Sequence, residues 1–425
     1  MINNKRFKLL LIAGYFPPVR ISSGSIRSWN LAKELISLGW AVTVVTPKIS
    51  IWRETNLDDV EYTKLLIEKY GIKVIYTGHC LKCLAPARYK ITGGTISNVF
   101  GGVLRSISRK LSIENWAGWI PSALYACRKI TSTDVDIIVS SGAPYSGFVI
   151  SHLLSKKIRK PFIIDYRDLW TDSPFVPISK NWIKNIEKKI IENCSAVTVV
   201  SPGFKEVLSK KYNNDHKIFT ITNGYNSEEL DNINIKMISN ISIIYSGSLL
   251  PPKRTLAPLL EALKKLKSTT YNADWKFHYF GPNSEFAYSE IEKYDLLDKS
   301  IIHGNLPRRE ILPILKGASL NVVITSNDPC SSLKEKAVIP GKIFELIGLN
   351  ANILLISPQG SSIEDISSNL GLKTFKPDEI EDIFHFIIEL MNGKLINLKN
   401  KEQYAWRNLS KTFDALLREK ILENE

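Results

Sequence analysis

The sequence predicts an α/β protein of two successive domains, each a parallel sheet flanked by helices. Short runs rich in Val, Ile and Leu alternate with segments of helical spacing, the pattern of strands buried on both faces. The alternation runs twice along the chain, broken by a polar stretch near 226–240. The chain has 425 residues, too many for one compact core and comfortable for two domains of about 200 residues each.

The elements follow in order. Residues 8–13 form a first strand, and a turn over 14–24 leads into a helix over 25–38. That helix turns Ile26, Trp29, Leu31, Leu35 and Leu38 inward and is stopped by Gly39. Strands are expected at 40–46, 73–76, 135–140, 161–165 and 196–200. The second run holds strands at 241–245, 275–280, 300–302, 319–325 and 352–356. Its helices are expected at 255–266, 308–315 and 341–349, and a helix pair closes the chain. Two such runs imply two Rossmann-like domains facing across a cleft, with ligands outside the carboxyl ends of the strands. The expected boundaries are 1–235 for the first domain and 236–400 for the second, with a helix over 401–425 packing back on the first.

Apolar residues make up 44% and charged residues 23%, the balance of an ordinary globular protein rather than a disordered or membrane-spanning chain. No apolar run reaches the roughly 18–20 residues that span a bilayer. The early run 9–15 leads into Pro17-Pro18 and reads as a strand, not a leader. Five scattered cysteines (Cys80, Cys83, Cys127, Cys194, Cys330) fit reduced thiols and a cytoplasmic location. Cys80-x-x-Cys83 beside His79 has no second ligand pair at zinc spacing and reads as plain thiols.

The net charge is +14, unevenly spread. Between 81 and 130 eight basic residues (Lys82, Arg88, Lys90, Arg105, Arg109, Lys110, Arg128, Lys129) stand against a single acid, Glu114. Tyr89, Phe100, Val103, Leu104, Trp116, Trp119 and Ile120 are interleaved with them. Such a stretch suits an anionic membrane surface, hence a peripheral protein, or else a solvated basic face. No nucleic-acid-binding signature is present, so no nucleic-acid partner is expected.

The chemistry is sought at the strand ends. After the first strand, Gly24 and Ser25 open a helix whose amino end suits a phosphate, or form a simple strand–helix turn. The spacing is not G-x-G-x-x-G, which argues against a dinucleotide enzyme. Asp134-x-Asp136 precedes a buried strand and reads as a polar strand entrance rather than a metal pair. Asp165-x-Arg167-Asp168 lies at a strand's carboxyl end. There Asp168 orients an acceptor hydroxyl and Arg167 holds an acceptor group, or the two form a structural pair. His303 reads as structural.

The stretches Gly14-Tyr-Phe-Pro-Pro18, Ser25 to Leu35, Gly39 to Pro47, Ser140 to Gly147, Asp165 to Asp172, Thr222 to Asn226, Tyr245 to Leu249 and Pro340 to Leu346 resemble, in order, family 4 glycosyltransferases of the GT-B fold. The resemblance implies a donor site in the second domain. Glu345 would accept hydrogen bonds from ribose hydroxyls. Lys342, three residues before it on one helix face, would lie near the diphosphate or brace the helix. A basic residue in the turn after Gly247 would bind the phosphates; Arg254 fits by spacing and Lys253 is the alternate. Cationic side chains of this kind can stabilise a leaving diphosphate as Mg²⁺ does elsewhere, so no metal or other cofactor is expected.

Two departures stand out. The family's Glu-x₇-Glu pair would need an acid at Ala337, and a histidine often found in the third motif is replaced by Tyr145. The expected function is a retaining, metal-independent hexosyltransferase. It would move sugar from a nucleotide donor, expected to be a UDP-sugar, to a saccharide or lipid-linked acceptor of surface polysaccharide or lipopolysaccharide. Alternatives are a sugar-nucleotide epimerase and a catalytically silent scaffold that binds nucleotide sugar or membrane.

Overall fold

A computed structural model describes residues 6–17, 23–48, 64–79, 116–174, 180–269 and 274–424. Cys80, Cys83 and the basic residues from Lys82 to Lys110, with Tyr89, Phe100, Val103 and Leu104, lie outside the described residues. The chain divides into two compact units. The first takes residues up to Val200, then Phe204–Thr222 and Trp406–Glu425; the second takes Ser201–Gly203 and Asn223–Ala405.

The first unit is a seven-stranded parallel sheet. Its strands are β1 (Lys8–Ala13), β2 (Ala41–Pro47), β3 (Lys73–Thr77), β4 (Ile137–Gly142), β5 (Phe162–Tyr166), β6 (Ala196–Val199) and β7 (Ile218–Thr220), in the order β3-β2-β1-β4-β5-β6-β7. The order reverses at β1/β4, where a parallel sheet of this kind opens a crevice at its carboxyl edge. Strands β1, β4 and β5 are almost wholly buried, so they read as continuous apolar runs rather than alternating ones. The three-residue edge strand β7 was not expected.

Helix α1 (Ser23–Ser37) lies on one face of this sheet; its end is fixed by Gly39, whose φ of +91° L side chains rarely adopt. The other face carries α2 (Trp119–Ala126), α3 (Ser146–Ile158), α4 (Asn181–Asn193) and α5 (Pro202–Tyr212). Trp116 and Trp119 are buried there, and Trp119 Nε1 donates to Thr77 Oγ1 at 2.7 Å. They are core residues, which corrects the expectation that they belong to a surface-binding stretch. An indole this size stabilises more by leaving water than by decorating a surface.

The second unit is a six-stranded parallel sheet. Its strands are β8 (Ile241–Ser246), β9 (Trp275–Phe280), β10 (Ser300–Gly304), β11 (Leu320–Ile324), β12 (Ile353–Ile356) and β13 (Thr374–Phe375), in the order β10-β9-β8-β11-β12-β13. Its reversal falls at β8/β11. The flanking helices include α6 (Ser227–Asp231), α7 (Ala257–Ser268), α8 (Ser284–Lys293), α9 (Arg308–Gly317), α10 (Leu333–Lys336), α11 (Lys342–Gly348), α12 (Ile363–Leu370) and α13 (Ile380–Met391).

The crossing into this unit comes at Thr222–Asn223, before the expected 235. Tyr225 and Leu230 are buried in the second core, packed with Phe344, Ile347 and Tyr404, and they draw 223–235 with them. The return comes at Ala405–Trp406 rather than 400, because Tyr404 and Ala405 belong to the same core. The final helix α14 (Trp406–Leu422) packs on α1: Phe413, Leu416, Leu417 and Ile421 join Leu31, Leu35 and Trp40. Trp40 Nε1 donates to Asp414 at 2.6 Å.

Candidate functional site

In the second unit the carboxyl ends of β8 and β11 collect two cations. Lys342, the first residue of α11, donates from Nζ to the Ser246 carbonyl at 2.7 Å, and its ammonium lies 4.0 Å from the centre of the Tyr245 ring. Gly247 makes room for it: a Cβ there would meet Lys342 Nζ at 3.3 Å, and its φ of +139° suits glycine alone. Arg254 donates from Nε to the Thr325 carbonyl at 2.9 Å, just past β11. Burial first, and then the neighbouring Arg254 charge, lower the Lys342 pKa to about 7. The two cations act on one another, and neither has an ion-pair partner among the described residues.

The remaining predicted donor residues are placed differently. Lys253 is half-exposed and its ammonium pairs with Glu335 on α10, which Ser332 caps. Arg254, not Lys253, is the cation beside Lys342. Glu345 sits one turn along α11 and pairs with Arg308, which also holds Glu229. Ala337 is fully buried, where an acid would lose its hydration. Tyr245 and Arg308 were missed. Tyr245 lay inside a quoted motif, whereas Arg308 is far from Glu345 in sequence and gave no local signal.

In the first unit the loops after β1, β4 and β5 converge. Arg167 donates from Nε to the Gly142 carbonyl at 2.8 Å and from Nη2 to the Ala143 carbonyl. A Cβ on Gly24 would fall 1.8 Å from Arg167 Nη1, so only glycine lets α1 begin here. Ser25 is fully buried beside it. Arg167 therefore braces the strand-end loops; Asp168, exposed at the surface, feels its charge but shares no hydrogen bond with it. Tyr145 stacks on Trp170 at 5.3 Å and donates to the Asp168 and Leu169 carbonyls. It fills the motif position as a packing residue, and its proton is committed to backbone oxygen.

The acid buried in this region is Asp165, flanked across the sheet by Ser141 and Thr198. It receives two hydrogen bonds from Arg27, at 2.8 and 2.7 Å, and one each from Ser141 (2.9 Å) and Thr198 (2.7 Å). Burial alone would raise its pKa, but the Arg27 charge and these bonds hold it below the usual carboxylate range. Sequence reasoning singled out Asp168 and passed over Asp165, although an acid inside an Ile/Val strand demands a partner.

Other candidates are structural. Asp134 accepts bonds from Thr131 and Asp136 from the Lys8 amide, as a polar strand entrance should. His303 stacks on Phe280 and bonds His278 at 2.9 Å. Among the described residues no group of three or more His, Cys, Asp or Glu is placed to hold a metal, and no helix is long and apolar enough to cross a membrane.

Residues 25–229 match the family model described as Glycosyltransferase Family 4. The chain carries a Glycosyltransferase Family 4 domain. Over the whole chain the fold is GT-B. Sucrose-phosphate synthase from Thermosynechococcus elongatus superposes with a TM-score of 0.66 at 13% identity, covering 98% of this chain and 100% of that one. Anabaena HepE in complex with UDP gives 0.59 at 12% identity, covering 97% and 100%. The lipopolysaccharide outer core galactosyltransferase WaaB gives 0.55 at 14% identity, covering 97% and 100%. No curated protein matches the sequence. The family match ends at the start of the second unit, so the donor residues there rest on their own geometry.

Proposed function

We propose that this family 4 glycosyltransferase takes a hexosyl group from a UDP-sugar bound to its second unit and passes it to a saccharide or lipid-linked acceptor bound to its first. The observation that carries this reading is the convergence of Lys342 and Arg254 at the β8/β11 strand ends. A diphosphate placed there would receive charge-assisted hydrogen bonds worth about 1.5–3 kcal/mol each. Those bonds strengthen as charge develops on the leaving group, which makes them catalytic rather than merely adhesive. Glu345 would exchange Arg308 for the ribose hydroxyls. That HepE was solved with UDP, and that WaaB is a lipopolysaccharide galactosyltransferase, supports the donor class and a surface-polysaccharide acceptor.

The transfer we propose keeps the anomeric configuration and needs no metal. The sugar–phosphate bond breaks toward the Lys342–Arg254 pair, the acceptor oxygen bonds the same face of the anomeric carbon, and its proton passes to the departing diphosphate oxygen. No side-chain base is invoked, since the Tyr145 hydroxyl is engaged with backbone carbonyls.

A thermal-shift screen of UDP-, GDP- and dTDP-sugars tests the donor, because a bound ligand raises stability by mass action. Product anomers read by NMR, with and without EDTA, test the rest. An inverted product, or activity that chelation abolishes and Mg²⁺ restores, would refute the mechanism. Conversion of donor alone to a new sugar nucleotide would replace transfer by epimerisation.

A further inference from the structure

We propose that Arg308 is a shared clasp of the donor site: it holds Glu345 while the site is empty, and Glu229 keeps it when Glu345 turns to the ribose. The inference rests on the donor site proposed above. It makes Arg308 and Glu229 positioning residues, although both lie outside the stretches that resemble the family.

Arg308 opens α9, and its guanidinium is divided between two acids. Nε donates to Oε1 of Glu345 on α11, and Nη1 donates to Oε1 of Glu229 on α6. The arginine side chain is 20% exposed, that of Glu345 23% and that of Glu229 44%. Among the described residues neither acid has another ion-pair partner, and no hydrogen bond reaches the second carboxylate oxygen of Glu345. Burial alone would lower the Arg308 pKa, but the Glu345 and Glu229 charges more than offset it.

Glu229 is anchored independently of Glu345. Lys316, in the last turn of α9, donates to the carbonyls of Leu230 and Asp231 at 3.4 Å and to that of Ile233 at 2.8 Å. Leu230 itself is buried in the core that holds Phe344 and Ile347. The segment that carries Glu229 is thus pinned to the helix that carries Arg308, and the acid keeps its place when Glu345 turns away.

A largely buried guanidinium stripped of its carboxylates is costly to leave behind. Hydroxyls that displace Arg308 from Glu345 would incur that cost if no second acid remained. Glu229 is that second acid. The exchange then gives up one of two ion pairs for hydroxyl bonds, and the arginine charge is never stranded.

Titration calorimetry of the full chain with UDP and with inorganic pyrophosphate tests the clasp, because only UDP carries a ribose. The ratio of the two affinities cancels the field that each substitution changes at the phosphates. In Glu229→Gln the preference for UDP should fall about fivefold, the scale of one partly exposed ion pair. Pyrophosphate should bind that variant as well as wild type or better, since an acid near an anion site is gone; the same measurement checks that the site is folded. In Arg308→Gln the preference for UDP should rise several-fold, and adding Glu229→Gln should change it no further.

An unchanged preference in Glu229→Gln overturns the clasp, and so does equal weakening of both ligands, which a mere brace of the fold would give. A fallen preference in Arg308→Gln also overturns it, because Arg308 would then be readying Glu345 for the ribose. Unchanged binding of both ligands by Arg254→Ala removes the donor site itself, and the clasp with it. Weaker binding of both by Arg254→Ala, with an unchanged preference in Glu229→Gln, removes the clasp alone.

Discussion

Arg27 and Asp165 meet side-on inside the first unit, joined by two hydrogen bonds and 1% and 0% exposed. The same guanidinium donates to the carbonyls of Ile221 (3.0 Å) and Thr222 (2.8 Å), the last residues before the chain leaves this unit. It also lies 5.5 Å from the ring centre of Trp406, the first residue after the return. One arginine thus anchors both chain crossings to β5.

Breaking that pair should be costly. Removing one partner of a buried ion pair typically loses about 3–5 kcal/mol, so Asp165→Asn and Arg27→Ala should each lower the urea midpoint sharply. Acid should mimic the loss. The folded pKa of Asp165 is depressed below an unfolded value of about 3.9, so its contribution is full above about pH 5 and fades as pH falls through the folded value. The Asp165→Asn variant should therefore show a flatter acid limb in urea titrations. An unchanged limb would remove Asp165 as the source.

Lys342 should take up a proton when nucleotide binds. With its pKa lowered to about 7, about half the sites are neutral at pH 7, and a diphosphate favours the charged form. Calorimetry of UDP binding in buffers of different ionisation enthalpy should show uptake near half a proton, absent in Lys342→Met. The same lowering means that the folded state resists protonation. Stability without ligand is thus greatest above pH ~10.4 and declines toward pH 7. Lys342→Met should consequently raise the Tm at pH 7 while losing nucleotide.

Arg254 and Lys253 should separate in kinetics. Arg254→Ala and Glu345→Gln are expected to raise donor KM about tenfold to a hundredfold, the equivalent of one charge-assisted hydrogen bond. Lys253→Ala removes an exposed pair with Glu335, worth at most about 1 kcal/mol, and should leave KM within a few-fold. Equal losses in Lys253→Ala and Arg254→Ala would contradict the placement of the two cations.

Gly24 and Arg167 should couple. In Gly24→Ala the new methyl displaces the guanidinium from the Gly142 and Ala143 carbonyls, so transfer should fall by about tenfold or more. In Gly24→Ala/Arg167→Ala the second change should cost little further, because the contact is already lost. Additive losses in this double-mutant cycle would show that the two act separately.

The strands were legible because burial on both faces writes itself as apolar runs: β1 and β9 fall where the sequence puts them. The edge strands β7 and β13 were not, since three and two residues carry no period. At the candidate site, Gly247, Arg254 and Lys342 could be picked out from strand-end turns and family motifs. The engagement of Glu345 with Arg308, of Lys253 with Glu335 and of Arg167 with two carbonyls could not. Such pairings join distant segments, and no local pattern encodes which partner a long charged side chain will choose.

Because α14 completes the first unit, that unit cannot close until residues 406–422 have followed the whole of the second unit out of the ribosome. The second unit, nearly all of it one continuous stretch from Asn223 to Ala405, can finish folding earlier. Until α14 is made, the α1 face that receives Phe413 and Leu417 stays uncovered. A copy stalled before α14 would expose an oily seam that α14 otherwise hides.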